Sequence, residues 1–492
     1  MKIKTFHFIS FIILVVLVVS GFSSAFSFFD ESAQVQERRI DSKQAGANPL
    51  ELYLPLIFYN PPFSSMFGIE MEKIRDDLGL GEMVEAKATW VRRNGLRWSR
   101  IEETKGVYNW AVASDLEKEL VNANRSGMET VLVIRSTPEW AQEYPGIACG
   151  PMKASEFQAF ANFMKAVVQR YSVHPYGVEY FEIWNEPDAP KSPSNPDNIY
   201  GCWYDPNDVK FGGEHYGKML KVVYPAVKTN PDVKLLVGGL LLDCNPNNPP
   251  PGKDCEPAKF LERILSVGGG KYFDGVSYHA YDYYFDGNQF GEYSNSKWHS
   301  SSYTTGPAIT AKANYLKNLL HSYGFYNKFL INSEEALICY GDDGTKEYCK
   351  DDDFQESKAI YVTQSYVKAY VSGLRSNIWY AVLGWSNSGL FGNNMIPYPA
   401  YYAYSFTSRM LGEMKSWHEL SLGSGLWAYE FELPGRHVWV VWSQDGNQHT
   451  INLSEVPNAA WEWDRVSNAY ESALIATSYS VGVAPIFLEW VP

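Results

Sequence analysis

Short apolar runs alternate with longer amphipathic segments through most of this 492-residue chain. Runs at 66–71, 89–98, 128–140 and 181–184, then from 233, 273, 328 and 377, read as strands, because each is a brief apolar or aromatic stretch closed by turn residues. Between them the period lengthens to that of a helix. Over 155–171, Phe160, Met164, Val167 and Tyr171 mark one apolar face, and Ser155 with Gln158 has the spacing of a capping box. A second helix is expected over 356–371, stopped by Gly373, and a last one ending near Leu411. Eight strand-and-helix units in succession predict an α/β fold, a (β/α)8 TIM barrel, with its working face at the C-terminal ends of the strands.

The grammar changes after that last helix. "LWAYEFEL", "HVWVVWSQDGNQHTINL" and "VAPIFLEW" alternate apolar and polar residues with no long helix, which predicts a small C-terminal antiparallel β-domain of sandwich-like form. The expected division is a leader at 1–25, a linker with one possible extra strand at 26–63, the barrel at 64–412 and the β-domain at 413–492.

The start of the chain has the pattern of a targeting segment. Lys2 and Lys4 precede an apolar run from Phe8 to Val19, and Ser23-Ser24-Ala25 supplies the small residues of a cleavage site. The expectation is a secreted or cell-surface protein with no membrane span, unless the leader is retained as an anchor. Six cysteines in an exported chain make disulfides plausible, with 15 possible full pairings. Proximity in loop-like stretches favours Cys244 with Cys255 and Cys339 with Cys349, leaving Cys149 with Cys202. No CxxC or HExxH spacing occurs, so no metal and no cofactor is expected. A net charge of -14 without a basic patch argues against nucleic acid as a partner.

Candidate chemistry concentrates at two strand ends. "FEIWNEPD" at 181–188 is an apolar strand that stops in an amide, a carboxylate and a proline. Neighbouring strand residues face opposite sides, so Asn185 and Glu186 share a pocket only if the backbone leaves strand geometry there. Pro187 cannot donate to a ladder and restricts Glu186 to extended conformations. "IWNEPD" resembles the acid/base motif of the clan-A glycoside hydrolases, retaining enzymes built on a (β/α)8 barrel. The phrase "LRWSRIEETKGVYNW" resembles the second-strand region of the β-xylosidase and α-iduronidase family within that clan.

The resemblance implies Glu186 as acid/base and Asn185 as the amide that holds the sugar 2-hydroxyl. A retaining mechanism needs a second carboxylate as nucleophile. "FLINSEEALI" on the seventh strand offers Glu334 and Glu335, and Ser333-Glu334 fits the clan's pattern of a hydroxyl residue before the nucleophile. Glu335 points the other way in an unbroken strand, which favours Glu334. Arg92 or Arg93 resembles the clan's arginine beside the nucleophile, with Arg92 the better fit. His279 and Tyr281, two apart and so on one face, resemble its imidazole and aromatic contacts. Trp385, Trp140 and Trp98 lie near strand ends and are candidates for stacking on a sugar ring.

The function expected is an exported retaining hydrolase of O-glycosidic bonds, acting on an oligosaccharide, polysaccharide or glycoside. The alternative is a catalytically inactive carbohydrate-binding or scaffold protein on the same barrel.

Overall fold

The computed structural model describes residues 65–190, 200–250, 252–285, 291–293, 295–300, 307–341 and 347–492. The expected leader, the linker and the possible extra strand at 52–62 lie outside these residues.

Eight parallel strands close into a barrel: Phe67–Glu70, Trp90–Arg97, Glu129–Arg135, Tyr180–Ile183, Lys234–Leu240, Gly275–Tyr284, Phe329–Cys339 and Ser376–Trp379. Each pairs with the next in sequence, and the eighth returns to the first through Phe67 opposite Asn377. All eight coincide with the apolar runs read from the sequence. The sixth strand runs on past the barrel rim, where the segment Asn295–Ser300 adds to it antiparallel.

Two-residue periodicity sorts the barrel interior into layers. Trp90, Val131, Tyr180, Leu236, Ile331 and Ile378 form one apolar cluster that fills the interior. Two residues beyond Trp90 and Tyr180 stand Arg92 and Glu182, and Glu70 on the first strand pairs in register with Arg92; all three are buried. An apolar plug therefore gives way directly to a charged layer.

Helix Phe157–Tyr171 follows a 3-10 turn at Ala154–Glu156, and the expected capping box is not formed; Gln158 instead donates to Asn162 Oδ1 at 3.0 Å, one turn on. Helix Asp352–Val371 begins earlier than its apolar pattern suggested, because the Asp351 carboxylate accepts the Phe354 N–H at 3.0 Å and caps it.

The C-terminal strands form a six-stranded antiparallel sheet, with a two-stranded sheet of His449–Asn452 and Ser478–Val481 beside it. Alternation buries both faces of the larger sheet. Tyr429, Phe431, Val438, Val440, Trp442 and Phe487 join the core shared with the barrel. Ala428, Val441, Ile486 and Leu488 pack with Ile451, Tyr479 and Val481 of the smaller sheet. Barrel helices meet this sheet closely: Phe406 stacks on Tyr470 at 4.5 Å between ring centres, and Lys368 Nζ lies 3.7 Å from the centre of the Trp427 ring while donating to Tyr429 Oη at 2.8 Å.

The cysteines pair as proximity favoured, Cys244 with Cys255 and Cys339 with Cys349, and Cys149 bonds Cys202. No helix among the described residues is long and apolar enough to cross a membrane.

Candidate active site

The fourth strand ends where its residues stop alternating. Trp184 and Glu186 both take left-handed backbone angles, with φ of 72° and 47°. This overturns the expectation that Pro187 keeps Glu186 extended. The conformation is held from outside: Glu186 N–H donates to the Gly239 carbonyl at 2.9 Å, Trp184 Nε1 donates to the Cys149 carbonyl at 2.9 Å, and Gly201 N–H donates to the Asn185 carbonyl. Room for it comes from Gly238 on the fifth strand, where a Cβ would stand 2.0 Å from the Ile183 carbonyl oxygen and 2.1 Å from that of Trp184. The turn brings Asn185 and Glu186 to the same side, as sharing a pocket requires.

The two carboxyl groups converge on His279. Its Nδ1 lies 2.7 Å from Glu186 Oε1 and 3.4 Å from Glu334 Oε2, and the nearest donor atoms of all three residues fall within 4.8 Å of one another. Next door, Gly239 leaves space for the imidazole, since a Cβ there would stand 2.2 Å from His279 Nε2. That Nε2 has no hydrogen-bond partner among the described residues. Burial, with Arg92 and Lys312 adding to it, holds His279 well below its ordinary pKa and keeps it neutral. A buried orphan N–H is rarer than a buried orphan lone pair, so the proton belongs on Nδ1, donated to Glu186.

Arg92 is the hub of the layer beneath. It is fully buried, and Nη1 reaches Glu334 Oε1 and Glu70 Oε2, each at 2.5 Å, while Nη2 reaches Glu182 Oε1 and Asn185 Oδ1, each at 2.6 Å. Tyr281 donates its hydroxyl to Glu334 Oε2. Burial raises the pKa of both catalytic candidates. For Glu186 the rise is large, and the charges of Glu334 and Asp188 add to it. For Glu334 burial also raises the pKa, but Arg92 and the Tyr281 hydrogen bond pull against it. Glu334 therefore gives up its proton before Glu186 does.

The residues expected at the site divide cleanly. Glu186, Glu334, Asn185, Arg92, His279 and Tyr281 come together. Arg93 turns outward to Glu119 at 2.5 Å, and Glu335 turns outward to accept from Asn377. Trp385 is half exposed, and its ring centre lies 6.2 Å from that of Tyr281, continuing the aromatic wall into solvent.

Two tryptophans do not fit the expectation. Trp98 is wholly buried, edge-on to Trp140 and against Phe160, and it donates to Glu102 Oε2 at 2.6 Å. Trp140 is half-buried and donates to the Glu102 carbonyl at 3.0 Å, with Lys105 over its ring, so its contacts run away from the carboxyl pair. Trp98 packs onto helix Phe157–Tyr171 through Phe160 and Phe163, where apolar area outweighs proximity to a strand end.

Sequence reasoning missed Glu70 and Glu182. Their signal was a carboxylate at an inward, period-two position of an otherwise apolar buried strand. It also missed Tyr380, whose ring centre lies 6.1 Å from that of Tyr281, and Lys312, whose Nζ donates to the carbonyls of His279 and Leu241 at 2.7 and 2.9 Å beneath the imidazole. Donor atoms as close as those of Glu186, His279 and Glu334 also suit a cation in principle. Here the Arg92 guanidinium already pairs Glu334 and would face any metal, so the donor set suits a carboxyl pair better.

No family model and no curated protein sequence matches this chain. Solved structures do. A family 39 glycoside hydrolase from the gut symbiont Bacteroides cellulosilyticus superposes with a TM-score of 0.61 at 18% identity, over 87% of this chain and 81% of that one. A family 30 subfamily 8 xylanase from Clostridium acetobutylicum gives 0.57 at 14% identity, over 87% and 95%. A monomeric β-xylosidase from Caulobacter crescentus gives 0.55 at 14% identity, over 88% and 96%. These likenesses establish the fold, an eight-stranded parallel barrel followed by an antiparallel β-domain, that this chain shares with proteins described as glycoside hydrolases of families 39 and 30.

Proposed function

We propose that this chain is an exported, retaining O-glycoside hydrolase in which Glu186 is the acid/base and Glu334 the nucleophile. One observation carries the reading. Two carboxyl groups from opposite strand ends approach to within 4.8 Å and differ in what surrounds them. Retaining glycosidases hold their carboxyl groups about 5–5.5 Å apart, whereas inverting ones need about 6.5–9.5 Å to admit a water.

The asymmetry assigns the roles. Arg92 and Tyr281 share the charge of Glu334 and keep it ionised for attack on the anomeric carbon. Glu186 lacks such strong support for a negative charge and keeps its proton. The His279 Nδ1–H occupies Glu186 Oε1, so the acidic proton resides on Oε2. In the first step Glu334 forms the bond to the anomeric carbon as the bond to the leaving oxygen breaks, and Glu186 gives that oxygen its proton. In the second, Glu186, now a carboxylate, takes a proton from water, which attacks the same carbon and releases Glu334. Asn185, its carbonyl fixed by Arg92, is suited to the 2-hydroxyl, and Trp385 to the apolar face of a sugar. The N-terminal sequence and three disulfides support export, and the proposed division of the chain is the barrel at 64–412 and the β-domain at 413–492.

The test is hydrolysis of a panel of aryl glycosides and polysaccharides, with Glu186→Gln and Glu334→Gln as controls. Turnover of at least one substrate that both substitutions abolish or strongly reduce is expected. A wild-type protein that binds sugars and cleaves none is the binding-protein alternative.

A further inference from the structure

A third carboxyl group opens into the same cleft. Within the cluster, the side chains of Arg92, Glu182 and His279 have no exposed surface, while those of Glu186, Glu334 and Glu70 keep 7%, 8% and 9%. Glu70, at the end of the first strand, is thus as accessible as the pair assigned to catalysis. Its Oε2 is tied to Arg92 Nη1, the nitrogen that also holds Glu334 Oε1. Two contacts of 2.5 Å through one nitrogen put these oxygens no more than about 5 Å apart, so Glu70 reaches the same sugar ring that Glu334 attacks. Its second oxygen accepts no hydrogen bond from any described residue, yet it is not enclosed, in contrast to the buried, unpartnered Oε2 of Glu182.

We propose that Glu70 is a substrate-binding residue, whose free carboxyl oxygen hydrogen-bonds the 3- or 4-hydroxyl of the glycon and selects neutral pyranosides over uronides. This rests on the hydrolase reading and deepens it. Position around the guanidinium carries the hydroxyl assignment. Arg92 Nη2 holds Asn185, the amide suited to the 2-hydroxyl, while the other terminal nitrogen, Nη1, holds Glu70 beside the nucleophile, which leaves the 3- or 4-hydroxyl for Glu70. Charge carries the exclusion of uronides. A bound carboxylate requires a cation, but Arg92 already serves four oxygens, and Lys312 Nζ is held by two carbonyls. Burial raises the Glu70 carboxyl to about 8, so near neutrality it offers a hydroxyl donor as well as an acceptor, which suits a sugar hydroxyl.

The test compares wild type with Glu70→Gln and Glu70→Ala on one aryl glycoside series: the parent sugar, its 2-, 3- and 4-deoxy forms, and the matching uronide. In wild type, loss of the 3- or 4-hydroxyl is expected to lower kcat/KM about 10- to 100-fold beyond its effect in Glu70→Ala, and the uronide to be a poor substrate. Glu70→Gln, which retains an Oε for Arg92, separates binding from support of the fold. A carboxyl group that only positions Arg92 would shift the acid limb of the pH profile and leave every deoxy penalty unchanged in both variants, and that result overturns the proposal. So does a wild type that prefers the uronide. Wild type inactive on the whole series and on the wider panel overturns the hydrolase reading and this one with it, whereas active enzyme with unchanged deoxy penalties overturns this one alone.

Discussion

His279 Nδ1 stands 2.7 Å from Glu186 Oε1, inside a packed wall that leaves the imidazole no solvent. This contact fixes one oxygen of the acid/base candidate and directs its proton to the other. General acid catalysis of this kind contributes about 10²–10⁴-fold when the departing oxygen needs the proton.

Glu186→Ala should therefore slow alkyl glycosides and other poor leaving groups by about 10²–10⁴-fold, and activated aryl glycosides far less in their first step. Azide should restore turnover and give a β- or α-azide of the substrate's own configuration. Glu334→Gly should lose the covalent intermediate for every substrate and give the opposite anomer with azide. NMR of the azide products checks both, and equal losses on good and poor leaving groups would contradict the assignment.

The pH profile of kcat/KM should be bell-shaped. Glu334 must be ionised, so activity falls as pH drops through its pKa. Glu186 must be protonated, so activity falls as pH rises through its strongly raised one. In Glu186→Gln the alkaline limb should vanish and the acid limb persist, measured on an activated aryl glycoside over pH 4–10.

Replacing Arg92 by Met should leave Glu334, Glu70 and Glu182 buried without their shared cation. Breaking a buried pair from one side costs about 3–5 kcal/mol, so a clear fall in thermal midpoint is expected. Any residual activity should show its acid limb displaced to higher pH, because Arg92 lowers the pKa of Glu334.

Glu335 gives a prediction of the opposite kind. It sits outside the site, fully buried, and burial raises its pKa from 4.5 to about 8. The folded state thus binds a proton that the unfolded state releases. Stability from this group is complete below the unfolded value and is lost as pH rises through the folded one. The loss approaches about 1.4 kcal/mol per pH unit between the two. Glu335→Gln, which cannot ionise, should flatten the decline of thermal midpoint from pH 6 to 9 and keep kcat/KM within a few-fold of wild type. Loss of activity equal to that of Glu334→Gln would reverse the choice between them.

The Cys149–Cys202 bond joins the segments after the third and fourth strands across 53 positions, next to the carbonyl that holds Trp184. The Cys149→Ser, Cys202→Ser double variant should lose about 2–4 kcal/mol and some activity. The other two bonds close loops of 11 and 10 positions, so removing either should cost less stability. Denaturant titration with a saturating-substrate assay distinguishes the cases.

Much of this was legible in the linear pattern because it depends on neighbours in sequence. Apolar runs separated by helical periods marked eight strands and the order in which they pair, and the motif pattern favoured Arg92 over Arg93 and, with a hydroxyl residue before it, Glu334 over Glu335. Strict alternation from the inward Ile331 would have turned Glu335 into the barrel; the register shift opposite Tyr278 and His279 brings Glu334 in instead. What pattern cannot carry is convergence. Arg92 and Glu334 are 242 positions apart, and only closure of the barrel makes one guanidinium the partner of Glu70, Glu182, Asn185 and Glu334 together. The left-handed turns at Trp184 and Glu186 follow from hydrogen bonds and space supplied by the fifth strand, which outweigh the local preference imposed by Pro187. The burial of Trp98 and the exposure of Trp385 were likewise decided by packing, since two tryptophans near strand ends look alike until a helix covers one of them.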